Sequence, residues 1–397
     1  MTEHSSASKG LDIPEQEFDP AVFREGNPWR VVADLNEACN ISCDYCHIDA
    51  LFGKEARDSR TLDPNLVGTL LHDADRMKVF DVTLTGGEIT IMPNLMDYLE
   101  EAKDLDFTSV QIITNGTRLS EGLATELKDV GIQRVSISID GPEESNDRAR
   151  GDKVWRRAWR GVENAVDAGL GVNVISVLGK HNIDDWHELP PLLKQAGVVS
   201  QNISLMCRLG RAETADEWMG IPEDRLDEIR LKVKKLQEEL NDESFFLTMN
   251  DGVTQEPGWS GEPTPIHAFQ DQNPGIEAVV KVNGDILRNR LYGRNRSIGN
   301  LATASLSEIW QQDRAHRAQI DGVVGEDNVG TLPSLYYHYD QEGRDSSERV
   351  MIPKSDTTYH QDRQRDIRVR EESWGTVQFD ARTFAIVDVA MKASTGE

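Results

Sequence analysis

Cysteine is scarce in this chain: four in 397 residues, and none after Cys207. A disulfide scaffold spreads paired cysteines through a small secreted domain, so that class is excluded. Basic residues are also few, 43 Lys and Arg against 69 Asp and Glu, for a net charge of −26. A nucleic-acid binder gains affinity by neutralising phosphates with clustered Lys and Arg, and this balance speaks against one. The short basic groups, Arg156–Arg157 with Arg160 and Lys232 with Lys234–Lys235, fall in helical patterns beside acidic residues and read as solvated faces. No stretch approaches the roughly 18–20 consecutive apolar residues that cross a bilayer. The opening MTEHSSASKG lacks the apolar core of a secretory signal. The expectation is a cytoplasmic protein without a nucleic-acid or membrane partner. His181, His187, His267 and His316 show no metal-ligand spacing.

What is present is a long alternation of strand-like and helical segments. Candidate strands are 31–36, 79–87, 110–116, 134–141, 171–178 and 203–210. Between them lie candidate helices at 63–78, 92–105, 119–131, 154–169 and 184–197. Six near-continuous apolar strands separated by helices imply an α/β fold with a parallel sheet covered by helices, as a closed or partial barrel or a doubly wound sheet. In a barrel, chemistry gathers at the C-terminal ends of the strands. Around this core the reading places a polar arm at 1–28, a barrel-sized unit at 29–215 and a helical linker at 216–264. The linker's amphipathic helix (222–240) leads to a Gly/Pro-rich connector at 255–265. A smaller α+β module follows at 265–320, with a hairpin turning at Asn283-Gly284. Residues 321–397 read as a loop-rich tail ending in a strand pair.

The chemistry concentrates just after the first strand, in Cys39-x3-Cys43-x2-Cys46. Three thiolates on one tight loop can ligate three irons of a cubane cluster and leave the fourth iron open. The competing reading is a structural zinc site with His47 as fourth ligand. One strand–helix unit later stands Thr85-Gly86-Gly87-Glu88, where glycines allow close backbone approach and a carboxylate suits an ammonium.

These residues resemble the radical S-adenosylmethionine (radical SAM) superfamily. ACNISCDYCHID carries the family's Cys-x3-Cys-x2-Cys with an aromatic, Tyr45, before the last cysteine, and Gly86-Gly87-Glu88 is similar to its GGE motif. ITNGT (113–117), with Asn115, and SISIDGPEESNDRARG (136–151) resemble later strand endings of the peptide-modifying and enzyme-maturing subgroup, as does LGRA (209–212). The resemblance implies a partial (β/α)6 TIM-like barrel and one [4Fe–4S] cluster on Cys39, Cys43 and Cys46. It further implies S-adenosylmethionine held by the Tyr45, Gly86, Gly87, Glu88 and Asn115 group. Ser138 and Arg150 would meet its ribose or carboxylate, and Asp140 would shape the pocket. A reductase, flavodoxin or ferredoxin would supply the electron.

The later module, VVKVNGDILRNRLYGRNRSIGNLATASLSEIW, is similar to the SPASM domain in Gly284, Gly299-Asn300-Leu301 and Ile309-Trp310. The cysteines that bind auxiliary clusters there are missing, so a single cluster is expected. Cys207, on the sixth strand, reads either as a small core residue or as a thiol that returns a hydrogen atom to a substrate radical. The tail RVREESWGTVQFDARTF resembles peptide-binding segments of ribosomal-peptide enzymes, and a packed edge hairpin is the other reading. The implied substrate is a ribosomal peptide, with a small sugar, nucleoside or amino-acid metabolite as second choice. A non-catalytic accessory protein keeping the fold is the third.

Overall fold

The computed structural model describes residues 27–28, 30–106, 108–206, 210–214, 219–250, 277–287 and 297–313, with the backbone of two further strands at 374–380 and 385–391. Most of the expected N-terminal arm, the connector at 255–265, the tail at 321–367, Cys207, His267 and His316 lie outside the described residues.

Strands β1 (Arg30–Asp34), β2 (Asp81–Thr85), β3 (Ser109–Thr114), β4 (Arg134–Ser138), β5 (Gly171–Leu178) and β6 (Ser200–Leu205) pair in sequence order, all parallel. Helices α1 (Pro64–Arg76), α2 (Leu95–Leu99), α3 (Glu121–Asp129), α4 (Glu143–Arg150), α5 (Val154–Asp167) and α6 (Leu189–Gln195) punctuate them. Their starts obey local chemistry. Asp63 accepts the Asn65 N–H at 2.9 Å ahead of Pro64, and Ser120 accepts the Leu123 N–H at 3.2 Å. The segment expected as one helix at 92–105 divides into α2 and a 3₁₀ stretch, Glu100–Asp104.

Two findings correct the expected organisation. The helical linker contains, after helix α7 (Leu226–Leu240), a strand β7 (Phe246–Asn250) that pairs parallel with β6. At the opposite edge, β8 (Glu277–Val280) of the later module pairs parallel with β1 and folds back antiparallel through β9 (Asp285–Leu287) and β10 (Gly299–Asn300). The result is one ten-stranded open sheet, ordered β10-β9-β8-β1-β2-β3-β4-β5-β6-β7. The hairpin turns at Gly284, whose φ of 84° suits a residue without Cβ. Leu301, Leu306, Ile309 and Trp310 pack into the same apolar core as the barrel strands. The tail strands β11 (Trp374–Asp380) and β12 (Ala385–Met391) form their own antiparallel pair.

The strands are not apolar throughout. Val82, Leu84, Val110, Ile112, Val135 and Ile137 belong to the apolar core, while alternate residues carry a polar chain from strand to strand. Gln111 Nε2 donates to both Asp81 oxygens (3.0 and 2.8 Å), Asn173 Nδ2 to Ser136 Oγ (3.0 Å) and Ser200 Oγ to Asn173 Oδ1 (2.8 Å). Asp81, 1% exposed, also binds Arg30 at 3.0 Å and the buried Arg134 at 3.3 Å. A polar face is tolerable there because these side chains find partners on nearby strands. Replacing Asp81 by Ala removes at once the buried carboxylate shared by Arg30, Gln111 and Arg134 and is expected to cost about 3–5 kcal/mol. Urea unfolding of the metal-free protein measures it, and an unchanged midpoint would refute the role.

Candidate active site

The loop bearing the three cysteines leaves the C-terminal end of β1 and has little secondary structure of its own. Ala38–Cys39 make a short parallel pairing with Leu51–Phe52. The loop is held instead by what surrounds it. The Gly87 N–H donates to Asn36 O and the Glu88 N–H to Ala38 O, both at 2.8 Å. A Cβ at Gly87 would lie 2.1 Å from the Ala38 carbonyl oxygen, and one at Gly86 would lie 2.4 Å from Asn36 Oδ1. The two glycines therefore let the end of β2 press directly on the segment entering Cys39.

On the far side, Gly210 (φ 56°) abuts the backbone of Cys46 and His47, where a Cβ would lie 2.2 Å from the Cys46 oxygen. The Arg211 N–H donates to that same oxygen at 3.0 Å, and Arg211 NH1 reaches Ser42 Oγ at 3.1 Å. The sequence marked this segment only as a strand ending; its bracing of the loop is a steric fact that no local pattern announces.

Beneath the loop lies a buried polar hub. Asp140, 1% exposed, receives Arg150 Nε and NH2, each at 2.8 Å, and the Val177 N–H at 2.9 Å. The Tyr45 hydroxyl donates to it as well. His181 stacks on the Tyr45 ring at 5.4 Å and sets Nε2 3.4 Å from Asp140, while the Arg150 guanidinium lies 5.5 Å from the ring centre. Burial pushes the Asp140 carboxyl up, but the Arg150 charge and the hydrogen bonds outweigh it and hold the group well below the usual carboxylate range. Arg150 sits in α4, a helix the sequence reading missed although Pro142, Glu143 and Glu144 mark its start.

Glu88 is fully enclosed. Its Oε1 accepts from Thr90 N (3.0 Å), Thr90 Oγ1 (2.5 Å) and Thr114 Oγ1 (2.5 Å), and its Oε2 from the Asn115 N–H (2.6 Å). Burial raises its pKa against those donors. The carboxylate thus ties the ends of β2 and β3 together, and Oε2 keeps acceptor capacity for one more donor. Ser138 lies half-buried at the end of β4.

The thiols of Cys39, Cys43 and Cys46 are all half-buried and unpaired with one another. Burial pushes Cys39 up to about 12 and Cys43 to about 11. Among the described residues no three His, Cys, Asp or Glu side chains gather tightly enough to share one metal ion. A tetrahedral zinc would draw its sulfurs to within about 3.8 Å of each other. Thiols that each serve a different iron of a cubane need no such convergence, so this donor set fits the cluster better than zinc. His47 is exposed.

An open, largely parallel sheet with a braced three-thiol loop at its strand ends defines an α/β protein with a candidate cluster site. The Radical SAM superfamily profile matches residues 35–190, the stretch that carries the cysteine loop, Gly86-Gly87-Glu88 and strands β2 to β5. The chain is 32% identical over 173 residues to a probable GTP 3′,8-cyclase of Methanothermobacter marburgensis, covering 42% of this chain and 54% of that protein. It is 29% identical over 218 residues to the mycofactocin maturase MftC of Mycobacterium tuberculosis, covering 54% of each. The chain thus spans about half the length of these curated relatives. The crystal structure of Streptococcus suis SuiB bound to S-adenosylmethionine shares the fold, with a TM-score of 0.56 at 16% identity over 72% of this chain and 65% of that one.

Two outcomes test this architecture. Gly87→Ala is expected to keep the far-ultraviolet spectrum but lose most of its iron on reconstitution, because Ala38 must move. Gly122→Ala, in open space within α3, should retain it. Asp140→Asn leaves Arg150 buried without its counter-charge, at a cost of about 3–5 kcal/mol near neutral pH. Because the Asp140 pKa is depressed by folding, its contribution is present above about pH 4 and lost as pH falls below that. Chemical denaturation across pH should show a shallower acid dependence in the variant; identical curves would remove Asp140 from the account.

Proposed function

We propose that this chain uses a single [4Fe–4S] cluster, held by Cys39, Cys43 and Cys46, to cleave S-adenosylmethionine reductively. The observation that carries the reading is the three-thiol loop, braced on opposite sides by the Gly86-Gly87 backbone and by Gly210. When bound, the cluster and S-adenosylmethionine together supply one-electron cleavage of the sulfonium C–S bond and a 5′-deoxyadenosyl radical that takes a hydrogen atom from substrate.

The chain's own residues bind, orient and shield. Glu88 Oε2 and the neighbouring glycine backbone suit the ammonium of S-adenosylmethionine. The half-buried Ser138 hydroxyl suits its ribose or carboxylate. Arg150 spends Nε and NH2 on Asp140, so it serves the pocket first as a wall and through NH1 as a donor. Tyr45, anchored to Asp140, closes the loop over the hub. With no cysteine after Cys207, no auxiliary cluster is expected in the later module. That favours redox-neutral chemistry such as epimerisation, elimination or rearrangement.

The substrate reading is a ribosomal peptide, supported by the SPASM-like text of the later module and by the maturase among the relatives. The cyclase relative supports a nucleotide or other small metabolite as the second reading. A reductase, flavodoxin or ferredoxin would deliver the electron. Among the described residues no helix is long and apolar enough to cross a membrane.

Iron, sulfide and zinc content after anaerobic reconstitution tests the reading. The wild type should hold about four irons, and the Cys39→Ala/Cys43→Ala/Cys46→Ala variant none. About eight irons would overturn the single cluster. Stoichiometric zinc without iron would overturn the radical reading, and a full cluster that yields no 5′-deoxyadenosine under strong reduction would point to an accessory protein.

A further inference from the structure

Asn115 is 7% exposed, at the first position beyond β3, and its side chain belongs to a closed ring of three residues. Asn40 Nδ2 donates to Thr117 Oγ1 at 2.8 Å, Thr117 Oγ1 donates to Asn115 Oδ1 at 2.7 Å, and Asn115 Nδ2 donates to Asn40 Oδ1 at 2.8 Å. The Thr117 backbone N–H adds a second donor to Asn115 Oδ1 at 3.0 Å. A backbone N–H can only donate, so the amide oxygen must face Thr117 and the amide nitrogen must face the other way. What lies that way is Cys39, with Asn115 Nδ2 3.8 Å from its sulfur. The backbone of Asn115 is pinned independently by its N–H to Glu88 Oε2 at 2.6 Å.

From this geometry we infer that Asn115 is a positioning residue that donates an N–H···S hydrogen bond to the Cys39 ligand and thereby raises the reduction potential of the cluster. The inference rests on the proposed cluster site. Its physical basis is that the ligand sulfur carries more negative charge in the reduced cluster, so a fixed donor stabilises that state more than the oxidised one. Hydrogen bonds to the sulfurs are among the levers by which a protein sets such potentials. The amide can act so because it cannot rotate. Its oxygen is occupied by two donors from Thr117, and its second hydrogen is taken by Asn40. A strongly reducing couple is hard for a donor protein to charge, and a preset dipole at one ligand eases that step without adding a charge near the cluster.

The test is a redox titration of the reconstituted protein without S-adenosylmethionine, read by the paramagnetic resonance of the reduced cluster at matched iron content. Asn115→Leu removes the donor; Asn115→Asp keeps the size and the Thr117 contacts but presents oxygen to the sulfur. Both are expected to hold about four irons. At the wild-type midpoint, the ratio of reduced to oxidised cluster should fall about tenfold, which is about 59 mV for a one-electron couple. Thr117→Val breaks the hydroxyl contacts but keeps the backbone N–H that orients the amide, so its midpoint should match the wild type. An unchanged midpoint in either Asn115 variant overturns the inference. Loss of iron from both, with a wild type that holds four, assigns Asn115 to loop assembly and also overturns it. A wild type that binds no iron refutes the cluster reading instead, which keeps the two failures apart.

Discussion

The buried pair of Asp140 and Arg150 is the interaction on which the site depends. It joins four separate stretches of chain. Asp140 lies two residues beyond β4, Arg150 closes α4, Val177 lies in β5, and Tyr45 sits within the cysteine loop between Cys43 and Cys46. Asn182 extends the set by donating Nδ2 to the Asp140 carbonyl at 2.8 Å. Removing two charges from water is costly, and a buried pair repays the cost only with good geometry and satisfied neighbours. Here the contact is bidentate and the carboxylate has further donors, the arrangement in which charge-assisted bonds are strongest. The loop has almost no regular structure, so its shape is borrowed from this hub.

Steric contact does for the two ends of the loop what electrostatics does for its middle. At the entry, β2 can approach Ala38 only because Gly87 has no side chain; at the exit, Gly210 lies against the Cys46 carbonyl in a left-handed conformation. Both contacts are backbone to backbone, so a side chain at either position has no flexible neighbour to displace. The cysteines are thereby clamped from opposite sides by segments more than 120 residues apart in the chain.

Local features were legible in the sequence and long-range ones were not. The triple-cysteine loop, the glycine pair and the βα alternation are written in contiguous residues, and each lies where the pattern placed it. The Tyr45–Asp140 bond spans 95 positions, and nothing in either neighbourhood announces it. Asp81, Gln111 and Arg134 look like interruptions of apolar strands until neighbouring strands supply their partners. The edge strands β7 and β8 were invisible as barrel strands for the same reason, since pairing across a sheet is not a property of a short window. Helix α4 is a different case: Pro142, Glu143 and Glu144 are start signals that any window shows, and the same residues also carry the family-like run.

The three thiols are similar in kind but are compensated differently. A thiol must lose its proton to bind iron, and burial opposes that at Cys39 and Cys43. At Cys43 the opposing influence is charge, because Arg150 and Arg211 both favour the thiolate. The Cys46 sulfur accepts a contact from the Ala50 N–H at 3.4 Å. At Cys39 the opposing influence is the Ile41 backbone N–H, with the side-chain amide of Asn115 also 3.8 Å from the sulfur. A chain with a net charge of −26 thus keeps two cations at one ligand and uses neutral dipoles at the others. Dipoles stabilise sulfur charge without drawing acidic groups toward the site, and they are less sensitive than ion pairs to salt. In so acidic a protein, that division lets the loop carry thiolate charge while the nearby carboxylates, Glu88 and Asp140, are held by donors of their own.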